Sequence, residues 1–106
     1  MIARMWHGRV DSTRAEEYHQ YLIDTGLNDY KTTEGNRGVF LLKRDDGDIT
    51  HIYTLTFWDS IESIKKFAGE DYEKARYYPE DKDFLKEFEP EVTHFDVMEG
   101  MDHLSI

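Results

Sequence analysis

The chain has 106 residues and a formal net charge of −10, from 23 acidic and 13 basic side chains, and it contains no cysteine. This length suits one domain, and the negative charge argues against nucleic acid or a membrane surface as a partner. The lack of cysteine excludes disulfides, thiolate metal sites and cysteine nucleophiles.

No secretory signal is recognisable at the N-terminus, and no segment approaches the roughly 20 apolar residues that span a bilayer. We therefore expect a cytoplasmic protein. Aromatic residues make up 14% of the chain, more than a small core can bury, so some are expected to line a pocket or an interface.

The first half of the chain predicts a strand, a helix and a β-hairpin. Residues 2–10 form the strand, and Thr13 with Glu16 fits a capping box before a helix that Gly26 is expected to end. After a connector, residues 38–44 predict a second strand and residues 49–58 a third. The sequence between them, Asp45-Asp46-Gly47-Asp48, indicates a tight turn.

The second half predicts another helix and a last strand. Asp59 with Glu62, or alternatively Ser60, caps a helix whose apolar stripe contains Ile61, Ile64, Phe67 and Ala68. Residues 71–78 are expected to resume the helix until Pro79 breaks it. A short turn or helix over 79–88 and a fourth strand over 92–98 follow.

This order of elements is β-α-β-β-α-β. It predicts an α+β ferredoxin-like sandwich, in which a four-stranded antiparallel sheet carries both helices on one face. We expect one domain over residues 1–98 and a C-terminal tail over 99–106.

The predicted strands look apolar on both faces, whereas two helices can cover only one. Residues 39–42 are Val, Phe, Leu and Leu without alternation, and both parities of residues 49–58 carry apolar or β-branched side chains. A second copy related by a two-fold axis is the simplest cover for the other face. We therefore expect a homodimer.

Short motifs along the same elements resemble antibiotic-biosynthesis-monooxygenase-like domains of the dimeric α/β-barrel superfamily. The motifs are Trp6-x-Gly8-x-Val10, Gly35-Asn36-x-Gly38, Trp58-Asp59-Ser60 before an apolar helix, and Phe67-Ala68-Gly69 running to Tyr77-Tyr78-Pro79. The resemblance spans residues 2–98 and implies the dimeric fold.

The resemblance also implies a range of activities. Members of the family include oxygenases of polycyclic phenols that use no cofactor, quinol oxygenases and haem-degrading enzymes. It implies that Trp58 borders a pocket between sheet and helices. The haem-degrading members bind iron through a histidine, but the matching stretch Lys74-Ala75-Arg76-Tyr77-Tyr78 has none, which disfavours haem.

Candidate site residues follow from the same layout. The end of the first strand lies near the start of the third, so His7 and His51 are expected to approach each other, where one of them is a candidate proton acceptor. With Trp58 they form the predicted catalytic set. The aromatic side chains predicted to contact a substrate are Trp6, Tyr53, Phe67, Tyr72, Tyr77 and Tyr78. No metal spacing and no nucleotide or flavin motif is present, so we predict no cofactor.

Three functions remain open at this point. The first is a monooxygenase without a cofactor, acting on a small aromatic or quinol substrate in a pocket between sheet and helices. The second is a non-catalytic dimeric module that binds a small hydrophobic molecule or another protein. The third, disfavoured one is haem binding and degradation.

Overall fold

Four antiparallel strands form one sheet in the order β2-β3-β1-β4. The computed structural model describes residues 1–104, and its strands are β1 (Ile2–Asp11), β2 (Asn36–Asp46), β3 (Ile49–Trp58) and β4 (Thr93–Asp96). Gly47 forms the β2–β3 turn with a φ of 64°, a conformation that glycine adopts at little cost. The predicted ferredoxin-like arrangement is confirmed, and β4 is shorter than predicted.

The first helical region runs on beyond its predicted end. A 3₁₀ turn (Ser12–Arg14), α1 (Ala15–Leu22), a π-helical turn (Ile23–Leu27) and α2 (Asn28–Thr32) follow one another without a break. Because the helical region already begins at Ser12, the predicted capping box at Thr13 and Glu16 does not form. The predicted stop at Gly26 is also wrong, since Tyr30 beyond it is buried and stacks on Phe67 with ring centroids 4.3 Å apart. That burial outweighs the cost of about 1 kcal/mol for a glycine inside a helix.

The second helix, α3 (Ile61–Ala68), is capped by the alternative residue. The Ser60 hydroxyl accepts a hydrogen bond from the Ser63 amide at 3.2 Å, and Gly69, with a φ of 90°, follows the helix. The predicted helix over 71–78 is wrong. Its backbone pairs instead with the segment before β4, with the Ala75 amide 2.9 Å from the Pro90 carbonyl. A 3₁₀ helix over Pro79–Asp83 confirms the predicted short turn.

The sheet divides its side chains between two faces. On β3, Thr50, Ile52, Thr54, Thr56 and Trp58 are buried under the helices, while the alternating residues lie on the opposite, open face. On β1 the helix-facing side chains are those of Arg4, Trp6 and Val10. The strand register therefore decides which side chains enter the space between sheet and helices.

The remaining expectations concern the tail and the membrane. Residues 97–104 form no helix or strand, and positions 105 and 106 of the predicted tail lie outside the described residues. Within residues 1–104, no helix has both the length and the apolar character to cross a bilayer. The boundary between domain and tail at residue 98 remains a prediction.

Candidate functional site

A small cavity lies between the helix-facing side of the sheet and the helices. Its volume is about 20 Å³, which is room for about one water molecule. Five aromatic side chains contribute to its lining: Trp6, Tyr18, Tyr30, Phe67 and Tyr78. The charged residues that line it are Arg4, Arg76 and Asp81. An aromatic wall with a few convergent charged groups is typical of a small-molecule site.

Arg4 on β1 brings a buried guanidinium to this cavity. The residue is only 2% exposed, and its central carbon lies 5.5 Å from the centroid of the Phe67 ring. Nη2 donates to the Lys74 carbonyl at 3.3 Å, while the buried Nε has no hydrogen-bond partner among the described residues. Burial lowers the pKa of Arg4. The site therefore contains a positive charge removed from water.

The sequence analysis missed Arg4. Strand alternation was the available signal, because Arg4 has the same parity as Trp6, Gly8 and Val10. Alternation alone does not show that Arg4 is buried, because it does not reveal whether the even-numbered or the odd-numbered residues of β1 face the helices.

Asp81 is the one carboxylate that lines the cavity within residues 1–104. It is 3% exposed and accepts hydrogen bonds from the Tyr18 hydroxyl at 2.9 Å and from the Tyr78 amide at 2.6 Å. Burial raises the pKa of Asp81, and these two hydrogen bonds oppose the rise. A buried carboxylate with a raised pKa is a better proton acceptor than an exposed one.

A single carboxylate fastens two residues that cover the cavity. Asp29 on α2 accepts a hydrogen bond from the Tyr78 hydroxyl and one from Nη2 of Arg76 at 3.2 Å. Arg76 also donates to the Phe67 carbonyl at 2.9 Å. Burial, followed by the hydrogen bond to Asp29, raises the pKa of Tyr78. The segment from Gly69 to Tyr78, which contains no helix or extended strand, is thereby held against the helices.

Trp58 lies behind the cavity wall. It is fully buried, its indole N–H donates to the Thr56 hydroxyl at 2.8 Å, and its ring packs 5.9 Å from Phe67 and 6.2 Å from Tyr30. Trp58 therefore supports two lining residues and does not itself border the space. Its predicted direct contact with a substrate stays a prediction.

The predicted aromatic residues lie in four different places. Trp6, Phe67 and Tyr78 line the cavity. Tyr77 packs edge-on against Trp6 at 6.2 Å, and Tyr72 packs edge-on against His94 at 5.2 Å. Tyr53 lies on the open face of the sheet beside His7, 4.8 Å from its ring.

The expected approach of His7 to His51 is confirmed, on the open face. Nε2 of His7 lies 2.8 Å from Nδ1 of His51, and Nδ1 of His7 pairs with the Glu89 carboxylate. Nε2 of His51 lies 3.8 Å from the Asp46 carboxylate. The histidines and the aromatic cavity thus occupy opposite faces of the sheet and cannot act on one small substrate.

The lining of this cavity does not fit a haem. No histidine, cysteine or methionine borders the cavity in residues 1–104. Burial raises the pKa of Tyr18 and Tyr78, which opposes the tyrosinate form that ligates iron. No group of three or more histidine or acidic side chains suited to a metal ion occurs in this part of the chain either.

Solved structures of similar fold cover nearly the whole chain. A mutant of MhuD with two manganese protoporphyrin IX molecules bound per active site has a TM-score of 0.63 at 14% identity, over 96% of this chain and 99% of its own. An uncharacterised NIPSNAP domain protein from Burkholderia xenovorans has a TM-score of 0.63 at 17% identity, over 96% and 100%. A "putative antibiotic biosynthesis monooxygenase" from Bacteroides thetaiotaomicron has a TM-score of 0.59 at 15% identity, over 99% and 94%.

No protein-family model and no curated protein sequence matches the chain. At these identities the likeness of structure shows the fold alone. The chain has the α+β, ferredoxin-like fold of antibiotic-biosynthesis-monooxygenase-like domains.

Proposed function

We propose that the protein is a monooxygenase that uses no cofactor and acts on a small phenol or quinol bound between the sheet and the helices. One observation carries the proposal. An aromatic cavity in the fold of proteins named as monooxygenases contains both a buried carboxylate and a buried guanidinium. Water exclusion by the aromatic wall strengthens the interaction of both charges with a bound substrate.

The chemistry needs a phenolate, because that form gives electrons to dioxygen most readily. Asp81 accepts the proton of the substrate hydroxyl, and the guanidinium of Arg4 stabilises the negative charge that remains. One oxygen atom then replaces a ring hydrogen and becomes a carbonyl, and the other leaves as water with the two hydrogens that the substrate loses. The substrate supplies all four electrons, so a phenol becomes a quinone.

This scheme assigns the base to a residue other than those predicted from the sequence. His7 and His51 remain plausible proton acceptors by chemistry, but they lie across the sheet from Arg4 and Asp81. Asp81 is the proton acceptor in the proposal because it lines the cavity and its pKa is raised.

Oxygen consumption tests the proposal. The purified protein is incubated with a panel of monohydric phenols, hydroquinones and naphthohydroquinones in an oxygen electrode, and the uncatalysed oxidation of each compound is subtracted. We expect one O₂ consumed per substrate and one ¹⁸O atom in the product from labelled dioxygen. If no compound in the panel consumes oxygen above its uncatalysed rate, the protein is not such an enzyme.

We further infer that two copies associate through the open face of the sheet. Phe40 lies opposite Leu55 and Leu42 opposite Tyr53, so β2 and β3 place a group of apolar side chains on this face. Leu42 is 42% exposed in the single chain, and Phe95 on the outer strand β4 is 49% exposed. A second copy related by a two-fold axis would cover this surface and remove an aggregation hazard.

A non-catalytic binding module is the second candidate. It is favoured by a second pocket of about 240 Å³, which has room for an aromatic molecule and is not lined by Arg4 or Asp81. Its apolar lining residues are Ala15, Leu22, Leu41, Leu42 and Ile52. A rise in melting temperature with an aromatic compound, without oxygen uptake, would support this candidate over the enzyme.

A further inference from the structure

We propose that Arg4 is the specificity-determining residue of the cavity, and that the cavity selects planar aromatic molecules bearing a negatively charged oxygen. The proposal deepens the proposed function, because it places the ligand in the same cavity. It holds equally for a substrate and for a ligand that is bound without reaction.

The guanidinium of Arg4 is a buried charge without an ion-pair partner among the described residues. Arg4 is 2% exposed, and no carboxylate among the described residues forms an ion pair with it. Of the five N–H donors of a guanidinium, one is bound to the Lys74 carbonyl, and Nε is buried without a partner among the described residues. The Tyr30 hydroxyl is a further neutral partner of the guanidinium. An uncompensated buried charge is strongly unfavourable, so a binding partner that completes it is expected.

The carboxylates near the cavity are already engaged elsewhere. Asp81 accepts from Tyr18 and from the Tyr78 amide, and Asp29 accepts from Arg76 and Tyr78. Neither forms a hydrogen bond or ion pair with Arg4. A ligand with a negatively charged oxygen would supply the counter-charge that Arg4 lacks among residues 1–104.

The surroundings of Arg4 define the rest of the ligand. The guanidinium carbons of Arg4 and Arg76 lie 5.5 Å and 4.8 Å from the centroid of the same Phe67 ring, which places two cations around one aromatic wall. Phe67 stacks in turn on Tyr30. Arg76 is paired with Asp29, so Arg4 is the cation of this wall that has no carboxylate partner among the described residues. The existing space of about 20 Å³ suits the charged oxygen, and the ring follows when Arg76 and Tyr78 move aside.

A matched pair of probes tests the charge requirement. The full chain is titrated with 2-naphthoate and with its uncharged analogue 2-naphthamide at pH 8, and binding is followed by calorimetry and by tryptophan fluorescence, since Trp6 lines the cavity. We expect naphthoate to bind at least about 10-fold more tightly, a typical ratio for one charge-assisted contact in a dry site. Equal affinities for the two probes would overturn the proposal.

Three variants assign the effect to Arg4. Arg4→Met keeps the length and removes the charge, and we expect it to abolish the preference and to leave the melting temperature equal or higher, because a costly buried charge is gone. Arg4→Lys keeps the charge without the planar fork, and we expect a partial preference. Arg9→Met is the control, because Arg9 lies on the same strand but on the open face, paired with Glu87. We expect Arg9→Met to keep the full preference.

Other results separate this inference from the proposed enzyme activity. A preference for naphthoate that survives in Arg4→Met assigns the anion site elsewhere and overturns the inference. If Arg4→Met fails to fold, the comparison of Arg4→Lys with Arg9→Met decides. A preference that depends on Arg4, without oxygen uptake by any phenol or quinol, keeps the inference and rejects the enzyme. Oxygen uptake without any preference for naphthoate over naphthamide supports the enzyme and overturns the inference about Arg4.

Discussion

The imidazole rings of His7 and His51 share a hydrogen bond, with Nε2 of one 2.8 Å from Nδ1 of the other. Their outer nitrogens face carboxylates, those of Glu89 and Asp46. The Glu89 carboxylate is within hydrogen-bond distance of Nδ1 of His7, and the Asp46 carboxylate lies 3.8 Å from Nε2 of His51. The arrangement is that of a structural charge network on the face where we infer a dimer.

Substitution of His7 on the open face and of Asp81 in the cavity should affect the kinetics differently. We expect His7→Gln to change kcat/KM for a phenol substrate by no more than about twofold, because His7 lies across the sheet from the substrate. We expect Asp81→Asn to lower it by about 10²-fold or more, the usual contribution of a positioned base. Initial rates of oxygen consumption compare the two. A large loss in His7→Gln with a small one in Asp81→Asn would return the base to the histidine pair.

The inferred dimer predicts that one charge on the open face separates the subunits. Leu42→Lys places an ammonium where Leu42 and Tyr53 face a second copy, and we expect the dimer dissociation constant to rise by about 100-fold or more. Met98→Lys is the control, because Met98 is 97% exposed. Sedimentation equilibrium near micromolar concentration measures both. A wild-type chain that sediments as a monomer would contradict the inference.

The burial of His94 leads us to expect that the free energy of unfolding decreases in weak acid. Burial, followed by the charge of Arg4, lowers the pKa of His94, and its Nε2 is buried without a partner in the described residues. The unfolded chain binds the proton first, near the ordinary value of about 6.5, so the free energy of unfolding falls as the pH drops below that value. The fall ends once the pH is below the lowered pKa of the folded state.

Two substitutions test whether His94 causes this decrease in the free energy of unfolding. In His94→Gln the free energy of unfolding should depend less on pH between about 6.5 and the lowered pKa, whereas His103→Gln on the exposed tail should behave as wild type. Urea unfolding at several pH values measures the difference. Identical pH dependence in wild type and His94→Gln would show that His94 titrates alike in both states.

We predict that position 35 does not tolerate a side chain. Its φ is 91°, and a Cβ atom there would lie 2.1 Å from the Ser63 hydroxyl oxygen and 2.5 Å from the Ser63 Cβ. We expect Gly35→Ala to lower the free energy of unfolding by about 3 kcal/mol, from backbone strain together with overpacking.

Gly47→Ala isolates the steric part of that loss. Gly47 has a φ of 64° and no atom within 4 Å of an added Cβ, so we expect about 1 kcal/mol, the strain alone. Chemical denaturation of the two variants gives the comparison. Equal losses at both positions would mean that Ser63 moves aside freely.

The strands and their order could be predicted from the sequence because the signals are local. The turn at Gly47 and the β-branched run of β3 determine a hairpin without reference to the rest of the chain. The helix around Gly26 could not be predicted in this way, because its continuation depends on Tyr30 packing against Phe67, which lies 37 residues away.

The candidate site, too, could be predicted only where local sequence signals determine it. The approach of His7 to His51 follows from strand pairing and was predicted. The cavity residues were predicted only in part, since Trp6 and Tyr78 are recognisable as aromatic but Arg4 and Asp81 are ordinary charged residues in an acidic chain. Only burial distinguishes them, and burial depends on which parity of β1 faces the helices and on where residues 79–83 fold back.

The strict alternation of β1 links two surfaces that have no chemistry in common. Arg4 and Trp6 point into the cavity, while Met5 and His7 point to the other face, so a slip of one position in the pairing with β3 would exchange them all. An insertion or deletion within this strand would therefore damage ligand selection and subunit association together. Evolution can tune the two properties by substitution at alternate positions, but not by changing the length of the strand.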